Sequence, residues 1–80
     1  MRMYNYKGLS NCCGERIRKK RELNGWSQEY LAAKLQLAGL NYTQKMVSRV
    51  EKGLRVLPDY ELRFYAEILN VSVLWLFDLE

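Results

Sequence analysis

Apolar residues recur along most of this chain at spacings of three and four, and no stretch of strict apolar and polar alternation competes with them. The pattern predicts an all-α fold of five helices. The first runs from about Cys13 or Gly14 to Asn24, with Ile17 and Leu23 facing inward, Arg16, Lys19, Lys20 and Glu22 facing out, and Gly25 as the stop. In the second, Leu31, Leu35 and Ala38 fall at i, i+4 and i+7, which carries the helix to about Ala38 before Gly39 ends it. After a turn over residues 39–42, a third helix extends from Gln44 to about Lys52 with Val47 and Val50 inward, and Gly53 terminates it. Asp59 is placed to cap a fourth helix that reaches Leu69 and carries Leu62, Tyr65, Ala66 and Leu69 on one side, with Asn70 in the left-handed position beyond it. A short fifth helix spans about Val73 to Phe77.

Three of these starts carry a double signal. Ser27, Thr43 and Ser72 are side chains whose hydroxyl accepts from the free N–H groups of a first helical turn. Each is bracketed by an apolar pair at the N′ and N4 positions, Trp26 with Leu31, Tyr42 with Val47 and Val71 with Leu76, the spacing of a hydrophobic staple.

A chain of 80 residues makes one domain and buries about 60% of the surface it would expose unfolded. We expect residues 1–12 to be a partly ordered N-terminal segment and residues 13–80 to be the domain, because no repeat, low-complexity tract or linker divides it. Hydrophobic residues at 49% and charged residues at 28% are ordinary for a globular chain and rule out wholesale disorder. No apolar run approaches the roughly 18 residues of a membrane span, and Met1 to Ser10 lacks the apolar stretch of a secretory signal, so a cytoplasmic location is expected. Cys12 and Cys13 are adjacent and cannot form a loop-closing disulfide; they read as reduced residues near a helix start. With no histidine, no metal-ligand spacing and no phosphate loop, an enzyme is not expected, nor a metal, a cofactor or a small-molecule ligand.

Charge changes the picture further, because the net +4 is unevenly spread. Through Pro58 the chain carries twelve Lys/Arg and four Asp/Glu, a balance of +8; beyond it come one Arg and five acids, a balance of −4. One part of the surface is thus suited to a polyanion and another is not. The segment from Ser27 to Gly53 shows how it would be met: two capped helices about a glycine-containing turn, with small Ala32 and Ala33 letting them approach closely. Val47 and Val50 take the inner side of the third helix, leaving Gln44, Lys45, Ser48, Arg49 and Lys52 outward. Such side chains match base edges, Gln to adenine N6 and N7, Lys to guanine O6 and N7, and Ser to either. The rival use of that helix, a protein-interaction or antitoxin-like module with secondary DNA contact, calls for aromatic or aliphatic anchors instead.

The order of short motifs then carries a resemblance. Gly14-Glu-Arg-Ile-Arg, Arg21 to Gln28, Leu31-Ala32, Val47-Ser48-Arg49-Val50-Glu51-Lys52-Gly53, Pro58 and Leu69-Asn70-Val71-Ser72 resemble the Cro and phage-repressor family of helix-turn-helix domains, also called xenobiotic-response-element-like, over about residues 14–77. The resemblance implies a compact, five-helix, lambda-repressor-like domain with its helix-turn-helix at helices 2 and 3, binding double-stranded DNA as a transcriptional regulator, in the expected case a repressor. It implies base contacts from Gln44, Lys45 and Ser48 with Arg49 at their margin, phosphate contacts from Gln28, Thr43, Lys52 and Arg55, and an ion pair between Arg21 and Glu51. One module of this kind buries about 600–1,000 Å² on DNA, which favours a homodimer on a near-palindromic site. Val73 to Phe77 holds more apolar surface than a closing turn needs, so Trp75 and Phe77 are candidates for the subunit contact, with core packing the alternative. The chain departs from the family pattern by about five extra residues between Leu35 and Val47. We expect a longer second helix rather than an enlarged turn; Asn41 and Tyr42 then either approach the DNA backbone or, as Leu40 and Tyr42 equally allow, pack into the core.

Overall fold

The computed structural model describes residues 6–80, and the first five residues of the N-terminal segment lie outside the described residues. Five helices follow one another: α1 (Gly14–Leu23), α2 (Gln28–Leu37), α3 (Gln44–Glu51), α4 (Asp59–Leu69) and α5 (Val73–Leu76). The described residues contain no strand, only an isolated bridge between Tyr6 and Leu9.

Local chemistry sets the helix ends. Ser27, Thr43 and Ser72 cap as expected, their hydroxyl oxygens accepting from the backbone N–H of Tyr30, Met46 and Trp75 at 3.0, 3.2 and 3.0 Å. All five helices close by the same pair of bonds, in which the last turn's carbonyls accept from a residue in the left-handed region and from the residue after it. Gly25, Gly39 and Gly53 take that position after α1, α2 and α3, while Asn70 (φ 57°) and Asp78 (φ 60°) take it after α4 and α5.

The staple residues Leu31, Val47 and Leu76 are fully buried, and with Ile17, Leu35, Val50, Leu62, Tyr65 and Leu69 they form one core. α3 lies against both α1 and α2, and α4 packs against the same two helices. The tightest approach is between α1 and α3 at Gly14, where any Cβ would stand 2.2 Å from the Val50 carbonyl oxygen. Asn11 fastens the same corner. Its side-chain oxygen accepts from the N–H groups of Cys13 and Gly14, and its amide donates to the carbonyls of Val50 and Arg55.

Several expectations are corrected. Leu23 is 69% exposed, because the left-handed turn at Gly25 carries the chain away before that end of α1 meets a neighbour. Arg16 is not turned to solvent: its guanidinium stacks 3.8 Å from the centre of the Trp75 ring and donates to the Trp75 carbonyl. Ala33 and Ala38 are exposed, so Ala32 alone provides the close approach. Ala38 is the C-cap of α2 and not part of its apolar stripe, and the extra length falls in the connection 38–43. Asp59 does not cap α4; Pro58 holds the cap position without a side-chain bond, and Asp59 supplies negative charge to the first turn instead. α5 ends at Leu76, with Phe77 as its cap.

Candidate nucleic-acid interface

The polar side of α3 is built from beneath. Val47 and Val50 are wholly buried, which turns Gln44, Lys45, Arg49 and Lys52 to solvent and leaves Ser48 half-buried between them. Below this face lies an ion pair joining α1 to α3. Arg21 grips Glu51 with two parallel bonds, Nε to Oε2 at 2.7 Å and Nη2 to Oε1 at 3.1 Å, and both side chains are almost fully buried. The third direction of the guanidinium is spent on the Trp26 carbonyl at 2.8 Å. That hydrogen-bonded carboxylate raises the Arg21 pKa above its usual value, so the charge is permanent.

Glu51 has lone pairs to spare, and they lead outward. Its Oε1 accepts from Gln28 Nε2 at 2.9 Å, and Gln28 Oε1 accepts from Gln44 Nε2 at 2.7 Å. A continuous chain therefore runs from the buried pair, across the start of α2, to an exposed side chain at the leading end of α3. Gln44 keeps its amide oxygen and one N–H unspent, the two groups that an adenine edge requires.

The remaining candidates divide. Thr43 is exposed and its hydroxyl is occupied as the α3 cap. Arg49 reaches over the end of its helix to the Leu54 carbonyl at 3.2 Å. Lys52 stands free on the polar face among the described residues. Arg55, assigned to phosphate by sequence, is turned inward: it pairs with buried Glu61 at 2.8 Å and lies over the Tyr42 ring at 5.2 Å. Trp75 is half-buried beneath Arg16, whereas Phe77 is 40% exposed.

Sequence reasoning missed this second pair, while Tyr42, left open between the DNA backbone and the core, lies in the core beside it. Tyr42 is buried and donates to Glu61 at 2.8 Å, its backbone carbonyl accepts from Gln36, and its ring meets Tyr65 edge-on at 5.8 Å. The enlarged connection between α2 and α3 is thus held down by an aromatic residue in the core, and Asn41 remains exposed. A signal was present, because Glu61, Tyr65 and Leu69 share one side of α4 at i, i+4 and i+8, which puts a carboxylate in line with core residues. Burial raises the Cys13 thiol, with Cys12 beside it, to about 12. It is a protonated thiol packed in the core.

These features define a helix-turn-helix domain, with α2 supporting and α3 presented. A family model described as helix-turn-helix matches residues 17–76, and the chain belongs to that family in its Cro and phage-repressor form. It is a DNA-binding regulator domain of a generally non-enzymatic family, and no helix among the described residues is long and apolar enough to cross a membrane. No curated protein matches the chain.

Proposed function

We propose that this domain is a sequence-specific repressor that reads the major groove of double-stranded DNA with the helix from Thr43 to Lys52. The observation that carries this reading is the hydrogen-bonded chain from Arg21 through Glu51 and Gln28 to Gln44, which holds an amide at the exposed leading end of α3 before any ligand arrives. Preorganisation of this kind lowers the ordering cost of a bidentate base contact. Gln44, Lys45 and Ser48 read base edges, with Arg49 at their margin. Lys52, Gln28 and the cap at Thr43 hold phosphates, aided by the N–H groups that α2 and α3 leave without helical partners at their starts. Arg55 takes no part, its charge being met by Glu61. Bound in a groove, a domain like this represses by excluding other proteins from the site it covers. The face carries no aromatic or aliphatic anchor, which favours DNA over a protein partner.

A single such module is small for tight specific binding, and a homodimer answers that need. The C-terminal end and the start of α4 supply the apolar surface: Phe77 and Tyr60, 40% and 54% exposed, line an open hollow of about 370 Å³ together with Leu62 and Val73, and Leu74 is 52% exposed. Trp75, the other candidate at this end, is half-buried under the Arg16 guanidinium.

Selection of bound sequences from a randomised duplex pool tests the reading, with Gln44→Ala and Lys45→Ala set against Lys52→Ala. The first two flatten the preference at one or two positions by about 1–3 kcal/mol each, and the third weakens all duplexes alike. Equal, sequence-blind losses from all three overturn it.

A further inference from the structure

The N-terminal segment is fastened to the exit of α3. Tyr6 and Leu9 exchange backbone hydrogen bonds at 2.7 and 2.9 Å across a two-residue turn in which Lys7 and Gly8 both have positive φ, 54° and 82°. Ser10 then donates to the Gly53 carbonyl at 2.7 Å, and Asn11 bonds the carbonyls of Val50 and Arg55. Leu9 lies so close over Gly53 that a Cβ there would stand 2.6 Å from its side chain. These attachments, made by Leu9, Ser10 and Asn11, hold the base of the turn against the exit of α3 and the connection that follows it.

The turn bounds an open cleft of about 430 Å³ against α1 and α3, whose lining includes Lys7, Arg18 and Lys52. Lys52 belongs both to this cleft and to the polar face of α3, so the two surfaces are continuous. The acids of the cleft lining do not cancel these charges: Glu51 is already neutralised by Arg21, Arg18 is paired with Glu22 at 3.3 Å, and Glu15 stands alone against Lys7 and Lys52. Lys7 is exposed, its ammonium 5.4 Å from the Tyr6 ring centre, with no carboxylate partner among the described residues. Arg55, the cation expected at this end of α3, is withdrawn to Glu61.

From this placement we infer that Lys7 is a DNA-backbone contact, carried on a preformed turn that extends the α3 interface and standing in for Arg55. The inference rests on the DNA reading above and adds a residue to that surface. Its chemistry is a point-charge contact between ammonium and phosphate, with no reading of sequence.

The test measures duplex affinity of the full chain, on a random-sequence duplex, between 50 and 200 mM salt. Each phosphate neutralised contributes about 0.9 to the salt slope, so Lys7→Ala lowers the slope by about that amount and loses about 3.5-fold less affinity than the parent over this range. Lys7→Arg restores the slope, while Arg55→Ala and Arg63→Ala, the latter on the acidic part of the chain, leave it unchanged. A parent slope retained by Lys7→Ala overturns the inference and leaves the DNA reading standing. A parent chain that binds no duplex overturns both. An Arg55→Ala slope reduced as much as that of Lys7→Ala, with no further loss in the double variant, also overturns the substitution of one cation for the other.

Discussion

Two buried carboxylates, Glu51 and Glu61, each hold an arginine, and they do opposite things with the lone pairs that remain. Glu51 passes its spare acceptor to Gln28 and through it to Gln44, so the pair at the α1 and α3 contact communicates with the exposed face. Glu61 spends the same capacity inward on the Tyr42 hydroxyl, so the pair at α4 locks the enlarged connection and ends there. Surroundings separate the two as well. The Arg21 side chain is 11% exposed and that of Arg55 is 26% exposed. A buried ion pair is therefore not a functional sign in itself; what its leftover hydrogen-bonding capacity touches decides that.

The largest expected effect follows from Glu51→Gln. The change keeps the volume but leaves a permanent guanidinium in a site with almost no water, and breaking a buried pair in that way costs about 3–5 kcal/mol. Urea denaturation reads this as a lower midpoint at unchanged m-value. Because Gln28 also loses its carboxylate acceptor, sequence preference at the base opposite Gln44 falls too. A loss below about 1 kcal/mol, the value of an exposed pair, would show that water reaches Arg21.

Glu61→Gln makes the matching experiment at the closed pair, and its effect is smaller. Arg55 is open enough to swing to water once its partner is neutral, so the cost is that of the lost charged hydrogen bonds, about 1–3 kcal/mol. Duplex preference stays as in the parent, since no bond links Glu61 to the polar face of α3. A change in preference as large as that of Glu51→Gln would erase the distinction between the two pairs.

The same contrast explains what the amino-acid sequence disclosed. Helix positions, three caps and the burial of Val47 and Val50 follow from short-range rules, because a cap and a staple are settled within six residues of chain. Arg21 with Glu51 was legible only through the family resemblance, and the structure places the two together. The Arg55 and Glu61 pair was not, although its partners are only six residues apart, because an arginine in a connection reads as a surface charge until the fold closes over it. Tyr42 was left open between backbone contact and core for the same reason: the connection that carries it is longer than the family's, so position alone could not say which way it turned. Leu23 and Ala38 failed in the other direction. Periodicity gives the side of a helix, but a helix end projecting past its neighbours has nothing to face.

Tyr42→Phe isolates the hydroxyl that ties the connection to Glu61. Burial pushes this phenol's pKa upward, so it remains a donor at every pH where the fold is studied. Its removal leaves Glu61 with Arg55 still bound, and the loss is about 1 kcal/mol, read from the denaturation midpoint. Gln36 continues to hold the backbone of residue 42, so the start of α3 stays in place and duplex affinity changes less than twofold.

Tyr65→Phe sharpens the comparison at its smallest scale. The Tyr65 ring packs edge-on to Tyr42, and its buried hydroxyl lies near the Tyr42 hydroxyl without making a hydrogen bond of ordinary geometry among the described residues. A buried polar group without a partner carries its desolvation cost uncompensated, so replacing it by hydrogen is neutral or stabilising, by up to about 1 kcal/mol. The sign is the informative quantity. If the midpoint falls instead, the hydroxyl has a partner such as an ordered water, and the cluster around Glu61 is a larger polar network than Arg55 and Tyr42 define. If it rises, Tyr65 serves by its ring alone, and the α4 pair ends at Tyr42 as the geometry has it.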